Sequence, residues 1–219
     1  MASALNAQRD PSFAALRQFA RKRPLVERCE MCSRELLPEH EHLVEPAGRK
    51  LHCACDPCAI LFDGRADAKF KRVPHTVRFL DNFQLTDSQW DSLRVPIEMA
   101  FFFKSSVQQH VVALYPSPAG AIESLLPLDT WEDIVAANPV LGGMQPDVVA
   151  LLANRAGAAR RSSPAEYFLV PIDECYKLVG LIRVHWRGFS GGTDVWRELD
   201  SFFASLKNRA RSGQEVARA

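Results

Sequence analysis

Apolar positions along the chain fall at three- and four-residue spacings near its two ends and into short dense runs between them. Residues 11–21 place Phe13, Leu16, Phe19 and Ala20 on one helical face, and Pro24 ends that helix. Phe70–Val77 is broken by Pro74, so it can be at most an edge strand. Thr86 and Gln89 have capping-box spacing ahead of Trp90 and Leu93, which predicts a short helix. Glu98–Lys104 and His110–Tyr115 are rich in Phe and Val and flank a polar stretch, as the two arms of a hairpin do. Within the first arm, Phe101-Phe102-Phe103 reads as a strand buried on both faces. Pro116–Gly120 is a turn, and Ile122–Leu126 returns as a third strand.

Asp129 or Thr130 caps a helix that runs to Ala137, where Asn138-Pro139 breaks it. Pro146 opens a further predicted helix with Val148, Val149, Leu151 and Leu152, and a polar loop follows from Asn154 to Pro164. Tyr167–Ile172 is a strand. Asp173 caps a helix whose apolar stripe is Tyr176, Val179, Leu181 and Ile182, extending to Trp186. Gly188–Gly192 is a tight connection, and Thr193 or Asp194 caps a last helix with Trp196, Leu199, Phe202, Phe203 and Leu206. The pattern predicts an α+β protein with an antiparallel sheet. Its expected organisation is an arm over 1–24, a small cysteine module over 25–62, an α+β domain over 68–210 and a tail over 211–219. Asp63-Gly64-Arg65-Ala66-Asp67 is the polar joint between module and domain.

Composition sets the class. The 219 residues are 47% hydrophobic and 24% charged with a net charge of +1, which excludes wholesale disorder, collagen and small disulfide scaffolds. A near-neutral chain whose basic residues are not interleaved with aromatics is not built to bind nucleic acid. The longest apolar run, Met99–Phe103, is far short of a membrane span, and the N-terminus lacks the apolar core of a signal peptide. The expected location is the cytoplasm, where closely spaced thiols stay reduced and bind metals rather than each other.

Chemistry is concentrated in one place. Five of the six cysteines fall between Cys29 and Cys58. Cys29-Glu30-Met31-Cys32 and Cys55-Asp56-Pro57-Cys58 are two CxxC pairs, and a two-residue gap lets both sulfurs of a pair face one ion. Two such knuckles brought together, as in a zinc ribbon, make a four-sulfur tetrahedron for zinc or for iron. Ser33 and Ala59 follow the pairs, where an iron knuckle usually carries glycine, so zinc is the expected ion. A closed four-sulfur site leaves no position for an activated water and is structural. Cys53 and His52 are spare ligands or partners of the ligands.

Other candidates are weaker. Glu39-His40-Glu41-His42 reads as a solvated turn between the pairs. His75, His110 and His185 are isolated, and Cys175 reads as a core residue although it lies in a first helical turn. No phosphate-binding glycine loop, zinc-protease helix or nucleophile elbow occurs.

Several stretches taken together carry a family resemblance. They are Cys29–Cys32 with Pro38-Glu39-His40, His52–Cys55 through Cys58–Phe62, Ala100–Ser106, Tyr115–Gly120, Asn138–Leu141, and Val170–Asp173 through Trp186–Gly188. In these the chain resembles a bacterial family of unknown function, mainly actinobacterial, whose genes commonly lie beside those of high-affinity nickel–iron hydrogenases. The resemblance implies an accessory role, with a hydrogenase subunit or maturation factor as partner. Three readings follow. One is a non-enzymatic zinc-binding adaptor. Another is a rubredoxin-like iron electron carrier on the same four cysteines. The third is an enzyme with its site in the α+β domain, near His110, Asp173 or Cys175.

Overall fold

The structure is a computed structural model, and it describes residues 26–63, 68–124, 130–159, 164–188 and 191–216. The helix expected over 11–21, the alternative cap Asp129, the end of the third strand at 125–126, most of the 63–67 joint and the loop tip at 160–163 lie outside these residues.

The cysteine module begins with a tight loop. The Cys29 N–H donates to Arg34 O and the Ser33 N–H to Cys29 O, both at 2.8 Å. A hairpin follows, β1 (Glu41–Glu45) and β2 (Lys50–Ala54), and helix α1 (Asp56–Phe62) starts at once behind it. A third, two-residue strand, β3 (Lys71–Arg72), pairs with β1, giving the order β2-β1-β3. The small sheet thus draws its edge from beyond the 25–62 stretch, and Pro74 keeps that edge short.

The remaining strands build one antiparallel sheet. In chain order come β4 (Arg78–Phe79), α2 (Asp87–Ser92), β5 (Met99–Lys104), β6 (Val111–Ser117), β7 (Gly120–Glu123) and α3 (Trp131–Ala137). A 3-10 turn at Pro139–Gly143 leads to β8 (Val149–Asn154), α4 (Ala156–Ala159), β9 (Glu166–Pro171), α5 (Ile172–His185) and α6 (Gly192–Val216). The strand order is β4-β9-β8-β5-β6-β7. The Thr86–Gln89 capping box is present, with the Gln89 N–H donating to Thr86 Oγ1 at 3.2 Å and the Thr86 N–H to Gln89 Oε1 at 2.9 Å.

Alternation along each strand feeds two cores, one per face. Phe101, Phe103, Leu152 and Phe168 join Leu178, Ile182, Leu199, Phe203 and Leu206 of the two long helices. Phe102, Leu151 and Leu169 join Trp90, Trp131, Ile134 and Leu141 on the other face. The helix expected from Pro146 is instead strand β8. A run of apolar residues offers helical and strand spacings at once, and the vacancy between β5 and β9 settles the choice by burying both faces. Asp173 is not the cap of α5 either. Pro171 holds that position, and the Asp173 carboxylate accepts from the Glu174 N–H with one oxygen and faces His42 with the other. The last helix starts at Gly192, ahead of the expected caps. The preceding Gly191 has φ +86°, and a Cβ there would lie 2.8 Å from Val195 Cγ1, so only glycine fits.

Strand β1 joins module and domain. Leu43 packs into the core of the cysteine module, whereas Val44 belongs to the core of the large sheet. Around this seam Arg49 pairs with Glu123 at 2.6 Å, and Lys71 with the buried Asp147 at 2.5 Å. His42 Nδ1 lies 2.9 Å from Asp173 Oδ2. Among the described residues no helix is long and apolar enough to cross a membrane.

Candidate metal centre

The first cysteine pair is a knuckle. After Cys32 the chain reverses through Ser33, whose φ of +63° is the left-handed conformation that favours glycine. That explains why a glycine is expected there, and serine occupies the position at a strain cost of about 1 kcal/mol. The second pair does not form another knuckle. Cys55 is the N-cap of α1, Pro57 lies in its first turn, and Cys58 comes three residues on, so a single helical turn aims both sulfurs the same way.

The four sulfurs converge. Cys29, Cys32, Cys55 and Cys58 have their Sγ atoms within 4.8 Å of one another, and Cys32 and Cys55 are 3.6 Å apart. A tetrahedral ion with metal–sulfur bonds of about 2.3 Å sets sulfur–sulfur edges of about 3.8 Å, so the set fits a thiolate-bound metal. Cys29, Cys55 and Cys58 are buried and Cys32 is exposed. The local electrostatics prepare one thiolate. Burial opposes ionisation of Cys29, yet backbone N–H groups of Cys55, Cys32 and Met31 bring its thiol down to about 6. Burial, with the neighbouring sulfurs, pushes Cys58 up to about 12. Around the sulfurs, among the described residues, only Leu43, Ala54 and Ala59 are fully buried, with Met31, Leu36 and Phe70 packed beside them. So small a core leaves folding free energy to be supplied by an ion.

Residues 28–210 match a family of unknown function, DUF5947. The chain belongs to that family. No curated protein and no solved structure matches it. The stretch shared with DUF5947 takes in both cysteine pairs, the whole large sheet and most of α6.

His52 and Cys53 lie beside the four-sulfur group rather than in it. His52 is buried with Nδ1 2.8 Å from Glu30 Oε2, and its Nε2 is 3.6 Å from Glu45. Glu30, inside the first CxxC, therefore reaches across to β2. Burial works against its ionisation, but the Cys53 N–H and His52 hold the carboxyl below its ordinary range. Cys53 has its own thiol raised by burial and by the charges of Glu27, Glu30 and Cys29.

The stretch expected as a solvated turn, Glu39–His42, is partly strand. Glu41 begins β1 and is buried, with Arg72 donating to both of its oxygens at 2.8 Å and His75 Nε2 2.9 Å away. Arg72 above all, with His75 helping against burial, brings its carboxyl down to about 2. The reason for the difference is long-range. Arg72, His75 and Asp173 are supplied from elsewhere in the chain, and four polar residues read by themselves carry no trace of them. His40, His42 and Cys53 form a second group with ligand atoms within 4.8 Å of one another. The cue lay in strand geometry: His40 and His42 are two apart, and His42 pairs in register with Cys53.

This second group lines a cleft of about 830 Å³ together with Glu41, His75, Asp173 and Lys177. Polar groups do converge near Asp173. His110 is exposed, lies 2.8 Å from Gln108 O and lines a separate cavity of about 370 Å³ with Lys104, Ser105 and Gln109, whereas Cys175 is fully buried with its thiol raised well above the usual range by burial.

Proposed function

We propose that this protein is a non-enzymatic metal-binding accessory protein. Its four thiolates hold a structural zinc ion, and it supports assembly or function of a nickel–iron hydrogenase by binding a subunit or maturation factor. The observation that carries the metal part is the convergence of Cys29, Cys32, Cys55 and Cys58. Zinc is favoured over iron because only the first pair is a knuckle, the second being one turn of a helix, and because serine stands where an iron knuckle has glycine. The hydrogenase part rests on the resemblance of the sequence. Thiolates that must stay reduced put the protein in the cytoplasm.

The module also offers a surface for protein contact. Ile60 and Leu61 on α1 are 65% and 74% exposed, and Leu37 is 75% exposed. Apolar side chains left open beside a metal centre are what a partner covers.

Two measurements test the reading. Metal analysis of the purified chain should find zinc and no visible charge-transfer band. A red protein would replace zinc by iron and the adaptor by an electron carrier. A tagged chain produced in its native host should co-purify with a hydrogenase subunit or maturation factor, and Leu61→Asp should lose that partner while keeping its zinc. Unchanged hydrogenase activity in a deletion strain would remove the accessory role.

A further inference from the structure

We propose that His40, His42 and Cys53 form a second metal site, which takes a zinc-class divalent cation and keeps one coordination position open to the cleft. It goes beyond the structural centre and shares no ligand with it, so either site can fail without the other.

The ligand set is assembled by the hairpin. His40 and His42 stand on the same side of the chain entering β1, and Cys53 on β2 is the register partner of His42. The two imidazoles meet edge to face with centroids 4.9 Å apart. All three donor atoms lie within 4.8 Å of one another. A tetrahedral ion with two nitrogens and one sulfur has ligand edges of about 3.3–3.6 Å, so side-chain movements of about 1 Å close the set.

Both imidazoles turn the same nitrogen to an acceptor. His42 Nδ1 faces the Asp173 carboxylate at 2.9 Å, and His40 Nδ1 faces the Leu37 carbonyl at 2.9 Å. These oxygens can only accept, so each Nδ1 carries a hydrogen, and in the neutral ring it is Nε2 that offers the lone pair. A carboxylate behind a ligating histidine is the arrangement that fixes the ring and raises its basicity. His40 supplies the independent sign of a ligand. Its side chain is only 8% exposed, and its Nε2 is buried with no hydrogen-bond partner among the described residues. A buried lone pair without a partner is costly unless something fills the place.

Two imidazoles and a thiolate suit zinc and its neighbours in the first transition row. With three protein ligands the fourth position remains, and the three residues that would hold the ion also form part of the cleft wall. Closed four-sulfur sites are structural, whereas three-ligand sites exchange water or a small ligand. The chain would therefore carry one ion that holds the fold and one that exchanges with what enters the cleft.

The test is metal stoichiometry on the full-length chain, refolded or purified with excess zinc and then with cobalt as a spectroscopic substitute. The wild-type chain should hold two equivalents. A mild chelator should remove one while the four-sulfur charge-transfer bands of the cobalt form persist. Cys53→Ser and His42→Asn should each hold one equivalent, with those bands unchanged. His40→Asn is the check against a variant that misfolds, and it should lose the same equivalent. A single equivalent in the wild type, or two equivalents retained by Cys53→Ser and His40→Asn, would overturn the site.

Discussion

Glu30 and Cys53 are joined twice: the Glu30 N–H donates to Cys53 O at 2.9 Å, and the Cys53 N–H donates to Glu30 Oε1 at 3.0 Å. One of the two residues between Cys29 and Cys32 is thus fastened to the strand that leads to Cys55 and Cys58. The same carboxylate meets His52 at 2.8 Å, so one side chain orders both halves of the metal module. Glu30→Ala leaves the Cys53 N–H and the His52 ring without their acceptor and should destabilise the module by about 1–3 kcal/mol. Faster metal release to a chromogenic chelator is the readout, and a release rate equal to the wild type would show that the clamp is idle.

Replacing Cys29 or Cys58 by Ser removes one of the four converging sulfurs. The expected result is loss of the bound ion and unfolding of the module, while the large sheet keeps its structure. Amide exchange resolves the two regions, with protection lost in the hairpin and retained in β5 and β8. Metal content equal to the wild type would refute the ligand assignment.

Ser33 is the position where sequence and backbone disagree. Its φ of +63° is natural for glycine and strained for serine. Ser33→Gly should raise the thermal midpoint, by an effect of about 0.5–1 kcal/mol offset in part by glycine's greater unfolded entropy. A lowered midpoint would mean that the serine makes a contact worth more than its strain.

Acid should act through Glu41. Its carboxyl is pulled from an ordinary 4.5 to about 2, first by Arg72 and then by His75. A depressed carboxylate contributes stability that is present above its unfolded value and lost as pH falls through the folded one. The wild-type chain should therefore lose stability between about pH 4.5 and 2, with the small sheet opening first. Glu41→Gln should flatten that part of the profile in a pH-dependent denaturation series. An identical slope in both proteins would assign the acid sensitivity elsewhere.

How much of this was legible in the residues depends on the range of the interaction. The Thr86–Gln89 capping box, the double-faced burial of Phe101–Phe103 and the stripe Leu199, Phe203 and Leu206 are local patterns, and each stands in the structure as read. The CxxC spacing identified the four sulfurs that converge, because the gap itself carries the geometry. The helix expected from Pro146 gives way to a strand at 149–154 because a solid apolar run has no period of its own, and only the gap between two other strands makes it a strand. For His40, His42 and Cys53 the two-residue spacing of the histidines is local, but the hairpin register that brings Cys53 beside them is not. Asp173 is farther still, 131 positions from His42.

Neighbouring residues of β1 serve different cores, Leu43 the metal module and Val44 the large domain. Every tryptophan of the chain, from Trp90 onward, lies outside the module. Indole fluorescence is accordingly blind to the cysteines themselves, yet it follows a domain that shares a strand with them. An ion that binds only the folded chain stabilises it by mass action. Chelation at the four cysteines should thus lower the midpoint at which the tryptophans of the large domain unfold, which makes their fluorescence a gauge of metal occupancy.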